Sequence, residues 1–413
     1  MNSDRQQVPF APTGSTAGGH LRFQHRARLA PWAGKRVTPM ADIRGATRRW
    51  TINGDFLALR PHGVARYARE VTLALDTLIA ERHPLARDLR LDIVAPRVPP
   101  EPLDVRWIPL RIVPEYAHPR LPQLWAQAQL PFYVAGGLLS FCNLAPIAAR
   151  KHIVCVHDLH TRLAPESYGR LFRWAHRIIL PILGRRAARI TTVSAFSQRH
   201  LVDFGVAPAE KIVVAPNGSD HAKRWDSRRA TLDFEGTRPF VLCLAQRQAY
   251  KNTEIVLEIA PALDRLGLDV WMAGDLDPAA LVTNRGPLPA NIRCLGRIGD
   301  DDLAAVFSRA LCFLFPSRIE GFGLPAVEAM ARGCPVVASS APSLPDTCGD
   351  AALYADPDDG PAWITAVKRL QRDPRLRQSL VDAGRTRAEQ YSWRAVALTY
   401  LELMDEIDGT SKP

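Results

Sequence analysis

The sequence contains little cysteine and no paired cysteine motif. Its seven cysteines are scattered through 413 residues, most of them inside apolar runs, and no C-x-x-C pair is present. This distribution excludes a disulfide framework and a cysteine-based metal site. We therefore expect reduced thiols, most of them buried, in a cytosolic protein.

Long hydrophobic runs are also scarce. The most apolar stretch, residues 129–149, contains two glycines, an asparagine and two prolines, and it lacks the flanking anchors of a membrane-spanning helix. It is predicted to form a buried strand with the turn before it. No apolar segment follows the first basic residues closely enough to form a signal peptide. A content of 47% hydrophobic and 23% charged residues is typical of a soluble globular protein.

The net charge of +11 is concentrated at one end of the chain. Residues 1–50 contain nine Lys or Arg and two Asp, a balance of +7, which leaves +4 for the other 363 residues. Because this segment is rich in Gly, Pro, Ser and Gln and lacks apolar periodicity, residues 1–44 are predicted to be a disordered basic tail. Its charge suits contact with an anionic membrane surface. The weak charge of the remainder argues against a nucleic-acid partner.

From about residue 49, short apolar runs alternate with helical patterns. Twelve runs, the first RWTING and the last AALYAD, are continuously hydrophobic, which is typical of strands covered by helices on both faces. The chain is long enough for two separate cores. We predict an α/β protein with two doubly wound parallel-sheet domains, residues 45–217 and 239–390, facing a central cleft. A linker is predicted at residues 218–238 and a final helix within residues 391–413.

Two carboxylates separated by seven residues, Glu320 and Glu328, bracket the stretch EGFGLPAVE. Its glycines allow positive φ angles and bring backbone amides close to a ligand. Pro325 suits the first position of a helix, which is predicted to run to about Arg332. The positive end of that helix would point at the loop, where an anion can bind.

This segment resembles the signature of the retaining nucleotide-sugar glycosyltransferases of family 4, the GT-B enzymes of glycosyl transferases group 1. The resemblance implies that Glu320 lies beside the transferred sugar as a catalytic residue and that Glu328 accepts hydrogen bonds from the donor ribose. It also implies that four backbone amides face the sugar and diphosphate, those of Gly321, Phe322, Gly323 and Leu324. Without the neighbouring GFGLP, EAMA and G-x-P-V-V, two such glutamates would equally fit an ordinary strand–helix–strand unit.

Other segments are similar to the same family. INGDFLALRPHGVARYAREV looks like its first strand, glycine turn and helix, which implies that Gly63 approaches the donor diphosphate. IVCVHDLHT places His157 at the end of a buried strand, where similar enzymes have a histidine at the donor sugar or reacting centre. FVLCLAQRQAYKN has Lys251 at the position of a diphosphate-binding lysine. Arg247 is a second expected diphosphate ligand, one place later than in many relatives.

Three of these assignments have a structural alternative. Gly63 also fits a plain strand-to-helix turn, His157 a histidine bonded to a loop carbonyl, and Arg247 a solvated surface residue. LWAQAQLP looks like a segment of polysaccharide-assembly members, which implies a place for Trp125 and Gln127 near the acceptor. Core packing is an equal alternative for Trp125.

The resemblance implies a hexosyltransferase that moves mannose or glucose from a nucleoside-diphosphate sugar to a glycan or lipid-linked acceptor in surface polysaccharide synthesis. The second domain would bind the donor, and the final helix would cross back to the first. No cofactor and no metal are expected, because no Asp-x-Asp cluster suited to a divalent cation lies near these motifs. The expected location is the cytoplasm, with peripheral contact at the inner face of the plasma membrane left open. A catalytically silent partner subunit of the same fold is the alternative.

Overall fold

The computed structural model describes residues 48–59, 63–114, 122–275 and 287–409. The tail predicted for residues 1–44 therefore lies outside the described residues. Within the described ranges the chain forms two lobes, each built around one parallel sheet. Among the helices in these ranges, none has the length and apolar character needed to cross a membrane.

The sheet of the first lobe has seven parallel strands in the order β3-β2-β1-β4-β5-β6-β7. The strands are β1 (Arg48–Asn53), β2 (Leu89–Ala95), β3 (Leu110–Ile112), β4 (Gly137–Ser140), β5 (His152–Cys155), β6 (Arg189–Thr192) and β7 (Ile212–Val214). The strand order reverses between β1 and β4. In open sheets of this kind, ligands bind beyond the carboxyl ends of the strands at such a reversal.

The sheet of the second lobe has six parallel strands in the order β10-β9-β8-β11-β12-β13. The strands are β8 (Phe240–Leu244), β9 (Asp269–Ala273), β10 (Ile292–Gly296), β11 (Phe313–Phe315), β12 (Val336–Ser339) and β13 (Ala352–Ala355). Here the order reverses between β8 and β11, so the same rule places a ligand site at the carboxyl ends of these two strands.

Both faces of the second sheet are apolar. Phe240 and Leu242 of β8 pack with Trp271 in one core, whereas Val241 and Cys243 pack in another. Alternate side chains thus enter separate cores, which explains why the strands read as continuous hydrophobic runs. The seven cysteines are unpaired, and five of them are buried.

These sheets confirm the predicted fold class of two doubly wound parallel sheets. Each of the twelve predicted runs overlaps one of the strands. The strand β3, three residues long at the edge of the first sheet, was not predicted. Its Leu110 and Arg111 are exposed, so no buried hydrophobic run marks it.

Helices cover the faces of both sheets. Those described are α1 (Gly63–Ala80), α2 (Pro122–Ala128), α3 (His160–Leu163), α4 (Arg170–Arg186), α5 (Ala195–Asp203), α6 (Thr253–Asp264), α7 (Asp300–Arg309), α8 (Leu324–Ala331), α9 (Leu344–Cys348), α10 (Gly360–Arg372), α11 (Pro374–Glu389) and α12 (Trp393–Asp408). Short 3-10 turns at Gly54–Ala58, Asp220–Arg224 and Ala249–Lys251 carry further residues of the candidate site.

The chain passes between the lobes twice, and the two passages lie side by side. The backbone N–H of Ser219 donates to the carbonyl of Tyr391 at 2.9 Å, and its hydroxyl donates to the carbonyl of Ala388 at 2.8 Å. At Gly218, a Cβ would lie 2.4 Å from the backbone nitrogen of Trp393. The close approach of the two passages therefore requires glycine at this position.

After the second passage, α12 packs on the first lobe. Its Tyr400 and Leu401 lie in the same core as Trp50 and Tyr67. The hydroxyl groups of Tyr67 and Tyr400 are 3.1 Å apart, and Thr191 of β6 contacts Tyr400 at 2.6 Å. The last helix is therefore part of the first core, although it follows the second lobe in sequence.

Asp408, the last residue of α12, joins this helix to the edge of the first lobe. Its carboxylate accepts hydrogen bonds from Arg48 Nε at 2.8 Å and from Trp50 Nε1 at 3.0 Å, and it pairs with Lys151. The Asp408 side chain is only 3% exposed. Burial opposes ionisation, but the bonds from Lys151, Arg48 and Trp50 outweigh it and lower the pKa of Asp408.

We expect Asp408→Asn to destabilise the protein by about 2 kcal/mol near neutral pH, because the buried Arg48 guanidinium loses the carboxylate charge of Asp408. A carboxyl whose pKa is lowered by folding stabilises the protein above its unfolded pKa and loses that contribution as the pH falls through the folded value. The difference from wild type should therefore shrink below about pH 4. Urea unfolding at neutral and acidic pH measures it, with Glu402→Gln, exposed on the same helix, as the control. An equal loss at both pH values would contradict the assignment.

Candidate active site

The segment EGFGLPAVE connects β11 to α8 at the carboxyl edge of the second sheet. Gly323 precedes the helix with φ 97°, and Gly333 follows it with φ 72°. Both angles lie in the left-handed region, which favours glycine. The helix begins one residue before the predicted Pro325. Its positive end lies next to the loop that carries Glu320.

This loop contacts the first lobe at Gly321. A Cβ at this position would lie 3.0 Å from the backbone oxygen of His157 and 3.3 Å from Cβ of Asp158. The Gly321 carbonyl accepts hydrogen bonds from the hydroxyl groups of Ser194 and Ser197, at the start of α5. A glycine therefore lets the loop of the second lobe approach the end of β5, where His157 lies.

Glu320 forms a buried ion pair across this loop. Its Oε1 lies 2.7 Å from Lys251 Nζ, and the two side chains are 8% and 14% exposed. Lys251 ends the turn after β8, and the next residue, Asn252, has φ 54°. The Asn252 amide donates to the carbonyls of Pro316 and Pro357. These bonds fix the turn against the loop, so the ion pair is held from both sides.

Glu328 lies one turn inside α8 and accepts a hydrogen bond from a buried histidine. His221 Nε2 is 2.8 Å from Glu328 Oε1, and Trp393 Nε1–H donates to His221 Nδ1 at 2.9 Å. Because Nδ1 accepts, the proton of the neutral ring lies on Nε2. The tryptophan thus selects the tautomer that donates to Glu328.

A cation of the first lobe also reaches Glu328. Arg66 of α1 places Nε 3.6 Å from Glu328 Oε1 and binds both carboxylate oxygens of Asp300 at 2.9 and 2.7 Å. Its guanidinium lies 5.4 Å from the ring centre of Trp225. These contacts join α1 of the first lobe to α7 and α8 of the second.

His157 is buried directly after β5. Its Nε2 donates to the carbonyl of Phe141 at 2.8 Å, and its backbone N–H donates to Asn143 at 2.7 Å. Tyr67 packs edge-on against the ring at 4.8 Å. Burial opposes a charge on the ring, but Cys155 and the Phe141 carbonyl outweigh it and raise the pKa of His157. With Nε2 bound to a carbonyl, Nδ1 is the ring nitrogen suited to contact a ligand.

Gly63 and Arg247 lie on exposed rims of the lobes. Arg247 is exposed in the loop after β8, and the described residues provide it with no ion-pair partner. Gly63 is the exposed first residue of α1, and a Cβ there would meet no atom within 4 Å. Neither packing nor backbone conformation therefore requires glycine at position 63.

Phe322 and Leu324 have buried side chains. Both lie in the core that contains Trp393 and Tyr400, and the Phe322 ring packs edge-on against Tyr391 at 5.1 Å. Only the backbone of these two residues is therefore suited to face a ligand in the loop.

The structure thus brings four of the predicted residues together at one contact between the lobes, namely His157, Glu320, Gly321 and Lys251. Glu328 lies in the helix that follows the loop and is held by Arg66 and His221. Across the described ranges, no hydrogen bond or ion pair joins Gly63 or Arg247 to this cluster.

Trp125 and Gln127 have structural contacts. Trp125 is buried and donates from Nε1 to the carbonyl of Val113 at 2.7 Å. The Gln127 amide donates to the carbonyl of Ala145 and accepts from the backbone N–H of Ile147. Core packing is therefore the observed environment of Trp125, and Gln127 bridges two loop positions.

His221 was not predicted as a site residue. It lies within residues 218–238, where neither a strand nor a helical pattern is evident, yet its side chain is only 1% exposed. Trp225, four residues later, packs against it at 5.4 Å. A histidine and a tryptophan at this spacing in a polar segment were the available signal of a buried turn.

Asp55 was also missed. It follows β1 at the reversal point of the first sheet and accepts from Asn53 Nδ2 at 3.1 Å through Oδ2. Its Oδ1 is buried and has no hydrogen-bond partner in the part of the chain that the structure describes. Burial raises the pKa of Asp55 to about 7, a perturbation common at functional sites. The signal was an acidic residue directly after a parallel strand.

Two protein-family models match the chain. The model described as Glycosyltransferase Family 4 matches residues 61–223, and the model described as Glycosyl transferases group 1 matches residues 225–387. The boundary between the two matches falls within the segment predicted as a linker.

Curated relatives include two mannosyltransferases. The O-antigen chain mannosyltransferase B of Escherichia coli is 28% identical over 67% of this chain and 74% of its own length. The MMP alpha-(1->4)-mannosyltransferase of Mycolicibacterium hassiacum is 30% identical over 63% of this chain and 66% of its own length.

Solved structures share the fold. A sucrose-phosphate synthase from Thermosynechococcus elongatus has a TM-score of 0.66 and 20% identity, covering 88% of this chain and 99% of that chain. The Anabaena protein HepE in complex with UDP-glucose has a TM-score of 0.61 and 16% identity, covering 88% and 99%.

We expect Trp393→Phe to destabilise the protein by about 1–3 kcal/mol, because His221 Nδ1 loses its only identified donor while buried. Urea unfolding measures this loss, and nitrogen NMR of the wild-type His221 side chain reports whether the ring proton lies on Nε2, where Glu328 accepts it. Trp107→Phe, at a half-exposed position, is the control. A variant as stable as the control would contradict the role of the Trp393 bond, and a wild-type spectrum with the proton on Nδ1 would refute the tautomer assignment.

Proposed function

The chain belongs to glycosyltransferase family 4, the group 1 glycosyl transferases, and is a hexosyltransferase; we propose its substrates and mechanism. The donor is a nucleoside-diphosphate sugar that carries a hexose of the mannose or glucose type. The acceptor is a glycan or lipid-linked oligosaccharide of a surface polysaccharide. The transferred sugar keeps its anomeric configuration.

The observation that carries the proposal is the buried pair of Glu320 and Lys251, 2.7 Å apart, beside the point where Gly321 meets His157. A buried carboxylate and ammonium at a contact between two lobes provide polar groups for both ends of a sugar phosphate. Lys251 supplies a compact positive charge for the diphosphate. Glu320 supplies an acceptor for the sugar hydroxyl groups.

The diphosphate has three further sources of positive potential. Arg247 is exposed at the rim of the second lobe, and a guanidinium can bind two phosphate oxygens at once. The amino ends of α8 and α1, the latter at Gly63, present free backbone amides and the positive ends of their dipoles. As the glycosidic bond breaks, these fixed groups stabilise the charge that develops on the leaving diphosphate.

Glu328 is proposed to bind the donor ribose. His221 and Arg66 both contact its Oε1, which fixes the orientation of the carboxylate. An ionised carboxylate accepts hydrogen bonds from neighbouring hydroxyl groups, and charge-assisted bonds of this kind are strong. The ribose hydroxyl groups are the donors that the family resemblance implies.

Retention is proposed to proceed by attack on the face from which the diphosphate leaves. A carboxylate nucleophile must be free to attack, whereas Glu320 is bound by Lys251. The bond from the anomeric carbon to the phosphate oxygen breaks, and its electron pair remains on the phosphate. The acceptor oxygen then bonds to that carbon and passes its proton to a phosphate oxygen. His157 orients the sugar through Nδ1.

No divalent cation is proposed to take part. Lys251, Arg247 and the helix ends supply the positive charge that a metal ion would otherwise supply at a diphosphate. Within the described ranges, no group of three or more His, Cys, Asp or Glu side chains is arranged to hold a metal ion. Equal transfer rates with and without a strong chelator would support this part of the proposal.

We expect Glu328→Gln and Lys251→Met each to weaken donor binding about 10-fold to 100-fold, because each removes a charge-assisted hydrogen bond to the donor. Calorimetry with a panel that includes GDP-mannose and UDP-glucose measures this and identifies the nucleotide. The controls are Glu235→Gln, which is exposed, and Lys368→Met on α10. If the wild-type protein binds no member of a broad panel, the proposed donor class is wrong.

We expect Glu320→Gln to lower the turnover of sugar transfer roughly 100-fold or more, while the donor dissociation constant changes only a few-fold. The reason is that Glu320 contacts the sugar at the reacting centre, whereas nucleotide and diphosphate are bound elsewhere.

Proton NMR of the product made by the wild-type enzyme reports the anomeric configuration. An inverted product would refute the proposed mechanism.

A further inference from the structure

The helix α4 of the first lobe exposes large apolar side chains. Leu171 is 79% exposed, Trp174 63%, Phe172 46% and Ile178 42%. Leu171, Trp174 and Ile178 are spaced three and four residues apart, so they share one face of the helix. The opposite face, with Leu180 and Leu183, packs into the core of the lobe. A contiguous exposed apolar face of this kind marks a binding surface.

Arginines alternate with these apolar side chains. Arg170, Arg173 and Arg177 lie along the helix, which contains neither Asp nor Glu from Arg170 to Arg186. Among the described residues, none of these three arginines forms an ion pair with a carboxylate. The Nε atom of Arg173 is buried without a hydrogen-bond partner. The surface is thus positively charged and not neutralised by the protein itself.

A pocket of about 510 Å³ opens beside this helix. Arg162 of α3, Arg173 and Arg177 of α4, and Phe204 after α5 contribute to its lining. Arg162 lies over the Phe204 ring at 5.2 Å and donates to the Phe204 carbonyl, while its own Nε is buried without a partner. Burial and the nearby charge of Arg177 lower the pKa of Arg162. The pocket therefore combines clustered guanidinium groups with an aromatic wall.

The pocket adjoins the candidate active site through α3. His160, the first residue of this helix, packs against Tyr250 at 4.8 Å, and Tyr250 precedes Lys251. Thr161 and Arg162, in the same turn, line the pocket. A surface bound to this side of the first lobe would therefore lie close to the candidate active site.

We propose that the exposed face of α4 and the pocket beside it dock on an anionic lipid membrane. Phosphate headgroups occupy the pocket and pair with Arg162, Arg173 and Arg177. Leu171 and Trp174 insert at the boundary between headgroups and acyl chains. The occupant is a phospholipid bilayer of negative charge, and this proposal is independent of which sugar the enzyme transfers.

Charge and apolar exposure together select this occupant. Helices that lie in the membrane interface have basic residues on the polar side and Trp, Phe or Leu on the other. Nucleic acid would pair with the arginines but would leave Leu171 and Ile178 in water. The anionic leaflet satisfies both, and each basic residue near its surface adds to the attraction. The helix, rather than only the basic tail of residues 1–44, therefore supplies the membrane contact.

The test is cosedimentation of the full-length protein with vesicles of phosphatidylcholine alone and of equal parts phosphatidylcholine and phosphatidylglycerol. Wild-type protein should bind the anionic vesicles and not the neutral ones. Arg173→Gln combined with Arg177→Gln should weaken binding about 25-fold, roughly fivefold for each charge. Trp174→Ser should weaken it about tenfold, because the insertion of one large aromatic side chain is lost. Arg375→Gln combined with Arg377→Gln, exposed on α11, is the matched control and should bind as wild type does.

Three results would overturn the proposal. Unchanged binding by the double arginine variant would assign the contact to the basic tail. Unchanged binding by Trp174→Ser would exclude insertion. The protein could bind neither kind of vesicle, while inorganic phosphate or glycerol phosphate raises the midpoint temperature of its thermal unfolding. The pocket would then be a site for a soluble phosphate.

Donor calorimetry and thermal unfolding of the same variants show whether they fold and bind the nucleotide. Vesicle binding without donor binding would leave this proposal standing and refute the proposed function. Donor binding without vesicle binding would do the reverse.

Discussion

The arrangement of the site depends on one buried carboxylate, Glu328. It lies in the helix that follows the loop carrying Glu320, yet its partners come from other parts of the chain, Arg66 from the first lobe and His221 from the segment between the lobes. Trp393, at the start of α12, donates a hydrogen bond to His221. Four segments far apart in sequence thus converge on one side chain. Because a buried charge without partners is costly, each segment is held in place by the need to neutralise or solvate this group.

Much of the fold could be predicted because parallel strands buried on both faces leave a direct trace in sequence. Phe240 to Leu244 is apolar at every position since its alternate side chains enter two cores. The edge strand β3 left no such trace, because Leu110 and Arg111 face solvent. The start of α8 was predicted to within one residue, since proline and glycine constrain the backbone locally.

The site was less accessible to prediction because its contacts join segments that are far apart in sequence. The glutamates and Lys251 were identified through resemblance, but the pairing of Glu320 with Lys251 depends on how β8 and β11 lie side by side. The role of His221 depends on the packing of Trp393 and Trp225 around it. The spacing of His221 and Trp225 indicates a buried turn but does not identify the partners of His221. The position of Asp55 after a strand was the other clue within one segment.

The two adjacent passages of the chain limit how the lobes can move relative to each other. They are bonded together, because Ser219 donates hydrogen bonds to the carbonyls of Ala388 and Tyr391. A single tether would let one lobe twist and slide against the other. Two adjacent connections bonded to each other permit mainly a hinge rotation about a line that runs through them. Any widening between the lobes would then be largest at the edge farthest from that line.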